Sequence, residues 1–146
     1  MANQTTSDIV IAADRAAIMG VIADFESYPD WATGVKKCTV LRTEPGGRAE
    51  QVRFVLDASP IKDEYVLAYV WDDDDSATWT LAEGQMVKAM DGAYQLSDLG
   101  DGTTRVTYRL AVDVAIPLIG MLKRKAEKVI IDTALKGLKK RVESRG

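Results

Sequence analysis

The sequence has no histidine and a single cysteine, Cys38, among its 146 residues. One cysteine cannot form a disulfide within the chain, and the usual ligands of a zinc site are missing. The absence of histidine also excludes nucleophilic catalysis by a Ser-His-Asp or Cys-His arrangement within this chain. We therefore expect no metal and no cofactor, and we interpret Cys38 as a small buried apolar residue.

Long apolar runs are also missing. No segment approaches the roughly twenty apolar residues that a membrane-spanning helix needs, so we expect no transmembrane segment. The first residues have no basic leader, and Asp8, Asp14 and Arg15 interrupt their apolar stretch, unlike a signal peptide. Together these features predict a soluble, cytoplasmic protein.

The composition is that of an ordinary globular chain, with 47% hydrophobic and 28% charged residues. A chain of this length has room for one domain, which we place over residues 1–146. Its net charge of −3 argues against nucleic acid as a partner. The charge is uneven, because residues 117–146 hold nine Lys and Arg against three Asp and Glu. This basic segment either contacts an anionic membrane or RNA, or is a solvated face.

The first third of the chain predicts a strand followed by two short helices. The β-branched run Ile9–Ile11 is typical of a short strand, and Asp14 stands where a helix N-cap would. Apolar residues then recur at helical spacing as far as the breaker Pro29. Tyr28–Trp31 predicts a turn or a second short helix.

From Val35 to about Val114 the apolar period changes to two, with turn residues every ten to fifteen positions. This pattern predicts six consecutive antiparallel strands with one apolar and one solvated face. The acidic run Asp72–Asp75 is interpreted as a polar hairpin turn, with a cation site as the weaker alternative. The charged residues assigned to the solvated face are Arg53, Asp57, Asp63, Glu64, Arg109 and Asp113.

After Pro117, the remaining residues predict one long amphipathic helix from about Leu118 to Glu143. At 100° per residue, one stripe of this helix is apolar or small and is expected to face the sheet. Its members are Ile119, Leu122, Ala126, Ile130, Thr133 and Gly137. Lys123 and Glu127 lie on or beside this stripe, and their spacing of four allows them to pair.

Four segments carry a family resemblance: YPDW after the first helix, the strand pair TWTLAEG and MDGAYQL, GTTRVTYRLAVDV, and the C-terminal IPLIGMLKRKAEKVIIDTALKGLKKRVE. In this order they resemble the polyketide cyclase/dehydrase and lipid-transport family of the SRPBCC superfamily, which is START-like and Bet v 1-like. The resemblance implies an α+β helix-grip fold. In that fold a curved antiparallel sheet of about seven strands surrounds a long C-terminal helix, and two short helices follow the first strand.

The resemblance also implies an apolar cavity between the sheet and the long helix. The first hypothesis is therefore a binder or carrier of a small hydrophobic molecule, such as a lipid, an isoprenoid or a polyketide-like compound, without catalysis. A polyketide aromatase/cyclase is the enzyme alternative, although no catalytic constellation stands out. A third alternative is a ribosome- or membrane-interacting protein that uses the basic helix.

The candidate ligand contacts are the inward aromatic residues of the strands and the apolar stripe of the helix. Simple core packing is the alternative for each of them, but the hydroxyl or N–H of a Tyr or Trp favours a polar partner such as a ligand. Trp31, in a segment rich in turn formers, is a candidate gate, and Lys123 and Glu127 are either cavity rim or a surface pair. The ligand-binding candidates are Trp31, Phe54, Tyr65, Tyr69, Trp79, Tyr94, Tyr108, Leu122, Ala126 and Ile130.

Overall fold

A computed structural model describes residues 4–58, 61–114 and 120–145 of the chain. The N-terminal part holds one strand, two helices and a 3₁₀ turn at Phe25–Ser27: β1 (Thr5–Ile11), α1 (Arg15–Ala23) and α2 (Tyr28–Trp31). Six strands and a long helix follow: β2 (Val35–Thr43), β3 (Ala49–Ala58), β4 (Ile61–Asp72), β5 (Ser76–Gly84), β6 (Val87–Asp98), β7 (Thr104–Val114) and α3 (Gly120–Arg145). The predicted order of elements is confirmed.

The strands form one sheet in the order β1-β7-β6-β5-β4-β3-β2, and each described neighbouring pair is antiparallel. Strands β2 to β7 are consecutive hairpin neighbours, as their period-two pattern predicts. Strand β1 instead pairs with β7, with Thr5 opposite Leu110 and Ile11 opposite Thr104. The chain therefore places its first strand beside its last strand and leaves β2 at the opposite edge.

The apolar face of the sheet is the one that the alternation predicts. Side chains on alternate positions are buried, whereas most of their neighbours along the strand are exposed or half-buried. One exception is a register shift between Val66 and Leu67, which buries the consecutive residues from Tyr65 to Leu67. The inward residues predicted from alternation and found buried are Val52, Phe54, Tyr65, Leu67, Tyr69, Val106, Tyr108 and Leu110.

The short helices begin where the sequence signals predict. The Asp14 side chain accepts a hydrogen bond from the Ala17 amide at 2.8 Å and so caps α1. Helix α2 has Pro29 in its first turn, where the missing amide hydrogen costs little. Phe25, which begins the 3₁₀ turn, and Tyr28, which follows it, are buried against the inner face of the sheet. This segment thus covers the part of the sheet around β2.

Helix α3 packs against β1, β7 and α1. Its predicted inward stripe is wrong, because Ala126, Ile130 and Thr133 are exposed. The observed inward stripe is rotated by roughly one residue relative to the predicted one. It contains a carboxylate, which apolar periodicity does not count as an inward residue. Its buried members are Glu127, Ile131, Leu135, Leu138 and Val142. Pro117 and Ile119, expected in the first turn of the helix, lie outside the described residues.

The placement of Asp63 on the solvated face is also wrong. This side chain is only 6% exposed. One carboxylate oxygen accepts the Glu64 amide at 2.7 Å, and the other accepts the amides of Met86 at 3.2 Å and Val87 at 2.9 Å. Asp63 therefore satisfies backbone donors where β6 begins, and it connects that turn to β4.

We expect Asp63→Ala to lower the free energy of unfolding by about 2 kcal/mol, because it leaves the buried Val87 amide without an acceptor. Urea denaturation followed by circular dichroism measures the loss. Asp91→Ala, at an exposed position of β6, is the matched control and should change stability by less than about 0.5 kcal/mol. Equal effects of the two substitutions would contradict a structural role for Asp63.

The acidic run Asp72–Asp75 forms the turn between β4 and β5, and it is neutralised by arginines from elsewhere in the chain. The Asp74 carboxylate lies 2.7 Å from Arg48, and the Asp75 carboxylate pairs with Arg15 of α1. Arg48 also packs over the Trp71 ring, 5.2 Å from its centroid. These contacts support the interpretation as a polar turn, which here fastens α1 and the β2–β3 turn to the sheet.

Candidate ligand-binding site

The inward aromatic residues of the strands form one continuous group of rings. Tyr108 lies at its centre on β7, 4.6 Å from Tyr94 and 5.5 Å from Trp79 between ring centroids. Trp79 continues the group to Tyr69 at 5.6 Å. Phe54 and Tyr65 stack on each other at 5.5 Å on the neighbouring strands β3 and β4. The structure therefore brings together the six strand aromatics that the sequence analysis selected.

Three further rings that were not predicted as ligand contacts belong to the group. Trp71 of β4 stacks on Tyr69, with 5.4 Å between the ring centroids. Phe25 lies 4.9 Å from Tyr69, and Tyr28 lies 6.1 Å from Phe54. Both belong to the segment that folds over the sheet after α1. The helical spacing of Phe25 indicates burial, but no local pattern shows that the segment would be placed on these strands.

Five tyrosine hydroxyls lie among these buried rings. The Tyr28 hydroxyl donates to the Ile22 carbonyl oxygen. Within residues 4–58, 61–114 and 120–145, no hydrogen bond is described for the hydroxyls of Tyr65, Tyr69, Tyr94 and Tyr108, although their rings are buried. These oxygens are not among the fully buried polar atoms without a partner in that part of the chain, which are Trp31 Nε1, Arg109 Nε and Arg141 Nε. The four phenols are a polar feature on an otherwise apolar face.

Burial keeps these phenols protonated. Desolvation raises the pKa of Tyr69 and Tyr94 well above the usual value, and neighbouring tyrosines raise it further. Burial likewise raises the pKa of Tyr65 and Tyr108. At neutral pH each phenol is therefore neutral and can donate its proton to a hydrogen-bond acceptor. Burial also raises the pKa of the Cys38 thiol to about 12, so this thiol is inert at neutral pH.

Trp31 stands at the junction of α2 and α3. Its ring packs on Tyr28 at 5.0 Å and lies against Gly137, where a Cβ atom would come within 3.4 Å of the ring. The ring is half-buried, and its indole N–H is buried without an acceptor among the described residues. Gly137, which the sequence analysis placed on the inward stripe, thus allows α3 to approach α2.

Lys123 and Glu127 pair as their spacing predicts, with Nζ 2.9 Å from the carboxylate. Glu127 is not a surface residue, since it is 2% exposed. Its other contacts are hydrogen bonds of 2.7 Å from the Thr5 hydroxyl and from the Val112 amide. Burial alone would raise the pKa of Glu127, but hydrogen bonds from Lys123, Thr5 and Val112 outweigh it, and the pKa lies below its usual value. The carboxylate joins α3 to β1 and β7.

A separate shallow depression of about 140 Å³ lies beside the register shift of β4. It is lined by Arg53, Glu64, Tyr65, Val66, Glu83, Gly84 and Gln85. Arg53 and Glu64 pair with each other at 3.0 Å. Because charged side chains, including Glu83, line it and it is open to solvent, the depression offers little to an apolar ligand.

The family assignment rests on the sequence itself. The profile described as polyketide cyclase / dehydrase and lipid transport matches residues 3–143. The chain belongs to this polyketide cyclase/dehydrase and lipid-transport family. No protein of curated function matches its sequence.

Solved structures place this family member in the helix-grip, START-like fold. A START superfamily protein from Mycobacterium smegmatis has a TM-score of 0.92 at 23% identity, covering 99% of this chain and 100% of that one. TTHA0849 from Thermus thermophilus has a TM-score of 0.81 at 23% identity, with coverages of 98% and 99%. The Zhui aromatase/cyclase from Streptomyces sp. R1128 has a TM-score of 0.80 at 16% identity, with coverages of 97% and 94%. At these identities the likeness establishes the fold alone.

In this member of the polyketide cyclase/dehydrase and lipid-transport family, α3 contributes other residues to the site than the sequence predicted. Ala126 and Ile130 lie on the exposed side of α3, and the side chain of Leu122 lies outside the described residues. The helix side chains that join the buried core are instead Ile131, Leu135, Leu138 and Val142.

Among the described residues, no helix combines the length and the apolar character needed to span a bilayer.

Proposed function

We propose that this protein binds a small, largely apolar molecule against the inner face of its sheet, and that the buried phenols hold the polar atoms of that molecule. The observation that carries the proposal is the group of four tyrosine hydroxyls on buried rings for which no hydrogen bond is described within residues 4–58, 61–114 and 120–145. Each hydroxyl can donate to an acceptor oxygen of a ligand, and such a hydrogen bond contributes about 1 kcal/mol. The proposed contacts are Phe54, Tyr65, Tyr69, Trp79, Tyr94 and Tyr108, with Trp31 at the entrance.

The chemistry of the proposed site favours a neutral ligand with oxygen acceptors. Its phenols are protonated at neutral pH because burial raises their pKa values. Among the described residues, the buried charged side chains are Asp63 and Glu127, and both already accept several hydrogen bonds. Both are themselves carboxylates, so neither would pair with a ligand carboxylate placed among the rings. We therefore propose a keto or hydroxy compound of lipid, isoprenoid or polyketide type.

The test removes hydroxyls without changing the shape of the rings. We expect the double variant Tyr69→Phe/Tyr108→Phe to bind Nile red, a neutral apolar dye with a carbonyl oxygen, at least about fivefold more weakly, because up to two hydrogen bonds to the ligand are lost. Fluorescence titration gives the affinity. Native mass spectrometry of the freshly purified protein then identifies any molecule that co-purifies.

Tyr28→Phe is the matched control. Its hydroxyl already has a partner in the Ile22 carbonyl oxygen. We expect this variant to lose about 1 kcal/mol of stability and to bind the dye as the parent protein does. If the double variant binds normally, the hydroxyls belong to the core and the proposed ligand contacts are wrong.

An aromatase/cyclase activity is the second candidate. The family description and the likeness to the Streptomyces aromatase/cyclase support it. Protonated phenols could donate a proton to an oxygen of a folded polyketide chain during condensation and dehydration. Incubation with a poly-β-ketone thioester tests this candidate, since ring formation produces aromatic absorbance. If the protein binds the dye but leaves the thioester unreacted, the carrier function is favoured over the cyclase.

A further inference from the structure

We propose that the exposed side of α3 docks on the surface of an anionic lipid bilayer. Two branched aliphatic side chains stand out on this side, Val129 with 59% and Ile130 with 45% of their surface exposed. Ala126 and Thr133, which are also exposed, lie about one turn before and one turn after them. Apolar periodicity predicted that part of this stripe faces the sheet, whereas the structure exposes it.

Lysines border this aliphatic stripe. Lys125, Lys136 and Lys140 are exposed, and no ion pair is described for them within the described part of the chain. Lys128 and Lys139, by contrast, are paired with Asp132 and Glu143. At 100° per residue, Lys125, Val129, Lys136 and Lys140 fall within about 60° of one another around the helix. The stripe therefore combines exposed aliphatic surface with three lysines for which no ion pair is described in residues 120–145.

A bilayer with anionic headgroups offers a partner for both properties. Lysines near such a surface are attracted to its headgroups, and aliphatic side chains enter the boundary between headgroups and acyl chains. Single-stranded RNA is a poorer match, because RNA is bound by stacking on aromatic rings, and the exposed residues named here are aliphatic. The first 116 residues carry a net charge of −9. That charge is repelled by the same bilayer, so it orients the protein with α3 towards the lipid.

Docking by α3 goes beyond the proposed ligand binding and does not depend on it. On the opposite side of the same helix, Glu127 accepts a hydrogen bond from β7. Gly137 of this helix contacts Trp31 at the proposed entrance. A docked helix would therefore bring the entrance close to the lipid surface. Vesicle binding and dye binding are measured separately, so either proposal can fail without the other.

The test is co-sedimentation of the full chain with vesicles of phosphatidylcholine, with and without phosphatidylserine. We expect binding to the anionic vesicles that weakens as salt is raised. The double variant Lys125→Gln/Lys136→Gln should lower the vesicle partition about tenfold or more. Val129→Ser should lower it as well, through lost aliphatic contact. All three residues are exposed, so thermal melting should confirm an unchanged fold.

Lys36→Gln/Lys88→Gln is the control, because it removes the same charge from exposed positions on β2 and β6. This control should bind vesicles as the parent chain does. An equal loss in both double variants would show a non-specific charge effect and overturn the proposal. The proposal is also overturned if anionic vesicles fail to bind the parent chain. The same holds if the α3 variants change only self-association or RNA retention, since the partner would then be a second copy or RNA.

Discussion

Replacement of Glu127 by Ala is expected to lower the free energy of unfolding by about 3 kcal/mol. The carboxylate is buried and accepts from Lys123, Thr5 and Val112, which belong to α3, β1 and β7. Its removal leaves the Val112 amide and the Lys123 ammonium without their acceptor and opens a cavity between helix and sheet. Urea denaturation followed by circular dichroism measures the loss.

The same carboxylate makes stability depend on pH. Its pKa in the folded protein lies below the value of 4.5 for an unperturbed Glu. A lowered folded-state pKa stabilises the protein above the unfolded pKa, and this contribution is lost as pH falls through the folded pKa. We therefore expect the parent protein to lose stability below about pH 4.5, and Glu127→Gln to show a flatter dependence over that range.

Glu83→Ala is the matched control for Glu127→Ala. Glu83 is an exposed carboxylate on β5. Its removal should change stability by less than about 0.5 kcal/mol. A loss below about 1 kcal/mol for Glu127→Ala would mean that its three hydrogen bonds are replaced by water. Helix α3 would then be held by its apolar contacts and by its other hydrogen bonds, such as those from Lys139 to Val10 and from Ala12 to Glu143.

Gly92→Ala is expected to cost about 2 to 3 kcal/mol, although it adds a single carbon atom. The Trp79 ring lies flat on Gly92, and an added Cβ would come within 2.2 Å of Trp79 Cε2 and 2.3 Å of Cζ2. The ring cannot move aside freely, because Tyr94 and Tyr108 pack against it. The substitution therefore forces the ring or the strand out of place. Thermal melting and urea denaturation report the effect.

Gly20→Ala is the control for Gly92→Ala. Gly20 lies inside α1, and nothing stands within 4 Å of the position where its Cβ would be. Alanine favours the helix there, so we expect unchanged or slightly higher stability, by up to about 1 kcal/mol. If Gly92→Ala melts together with the parent protein, the close approach of Trp79 and Gly92 is not required for the fold.

The strands could be predicted from the sequence because alternation along a strand assigns each residue to one face of the sheet. Phe54, Tyr69 and Tyr108 alternate with polar residues, and period two assigns them to one side whatever their partners are. Their common face therefore followed from the pattern, and so did the order of the elements. The family resemblance supplied the position of the long helix over that face.

Buried carboxylates could not be placed in the same way. Glu127 and Asp63 are buried because backbone amides from distant parts of the chain reach them, and such donors have no local signal. Asp63 was assigned to the solvated face, and Glu127 was placed on or beside the inward stripe but was not counted among its members. The predicted face of α3 was therefore turned by about one residue. The contacts of Phe25 and Tyr28 with the strand aromatics could not be predicted for a related reason. They depend on how the short segment after α1 folds back onto the sheet.

The pairing of β1 with β7 has a consequence for how the chain acquires its fold. Thr5 cannot meet Leu110 until more than a hundred residues have left the ribosome, and α3 packs on the pair that these strands form. Contacts of such sequence separation slow folding, because a long loop must close before they form. The hairpins from β2 to β7 can assemble during synthesis, whereas the edge of β7 stays unpaired until β1 returns to it. In that interval the nascent sheet exposes a strand edge that another chain could occupy.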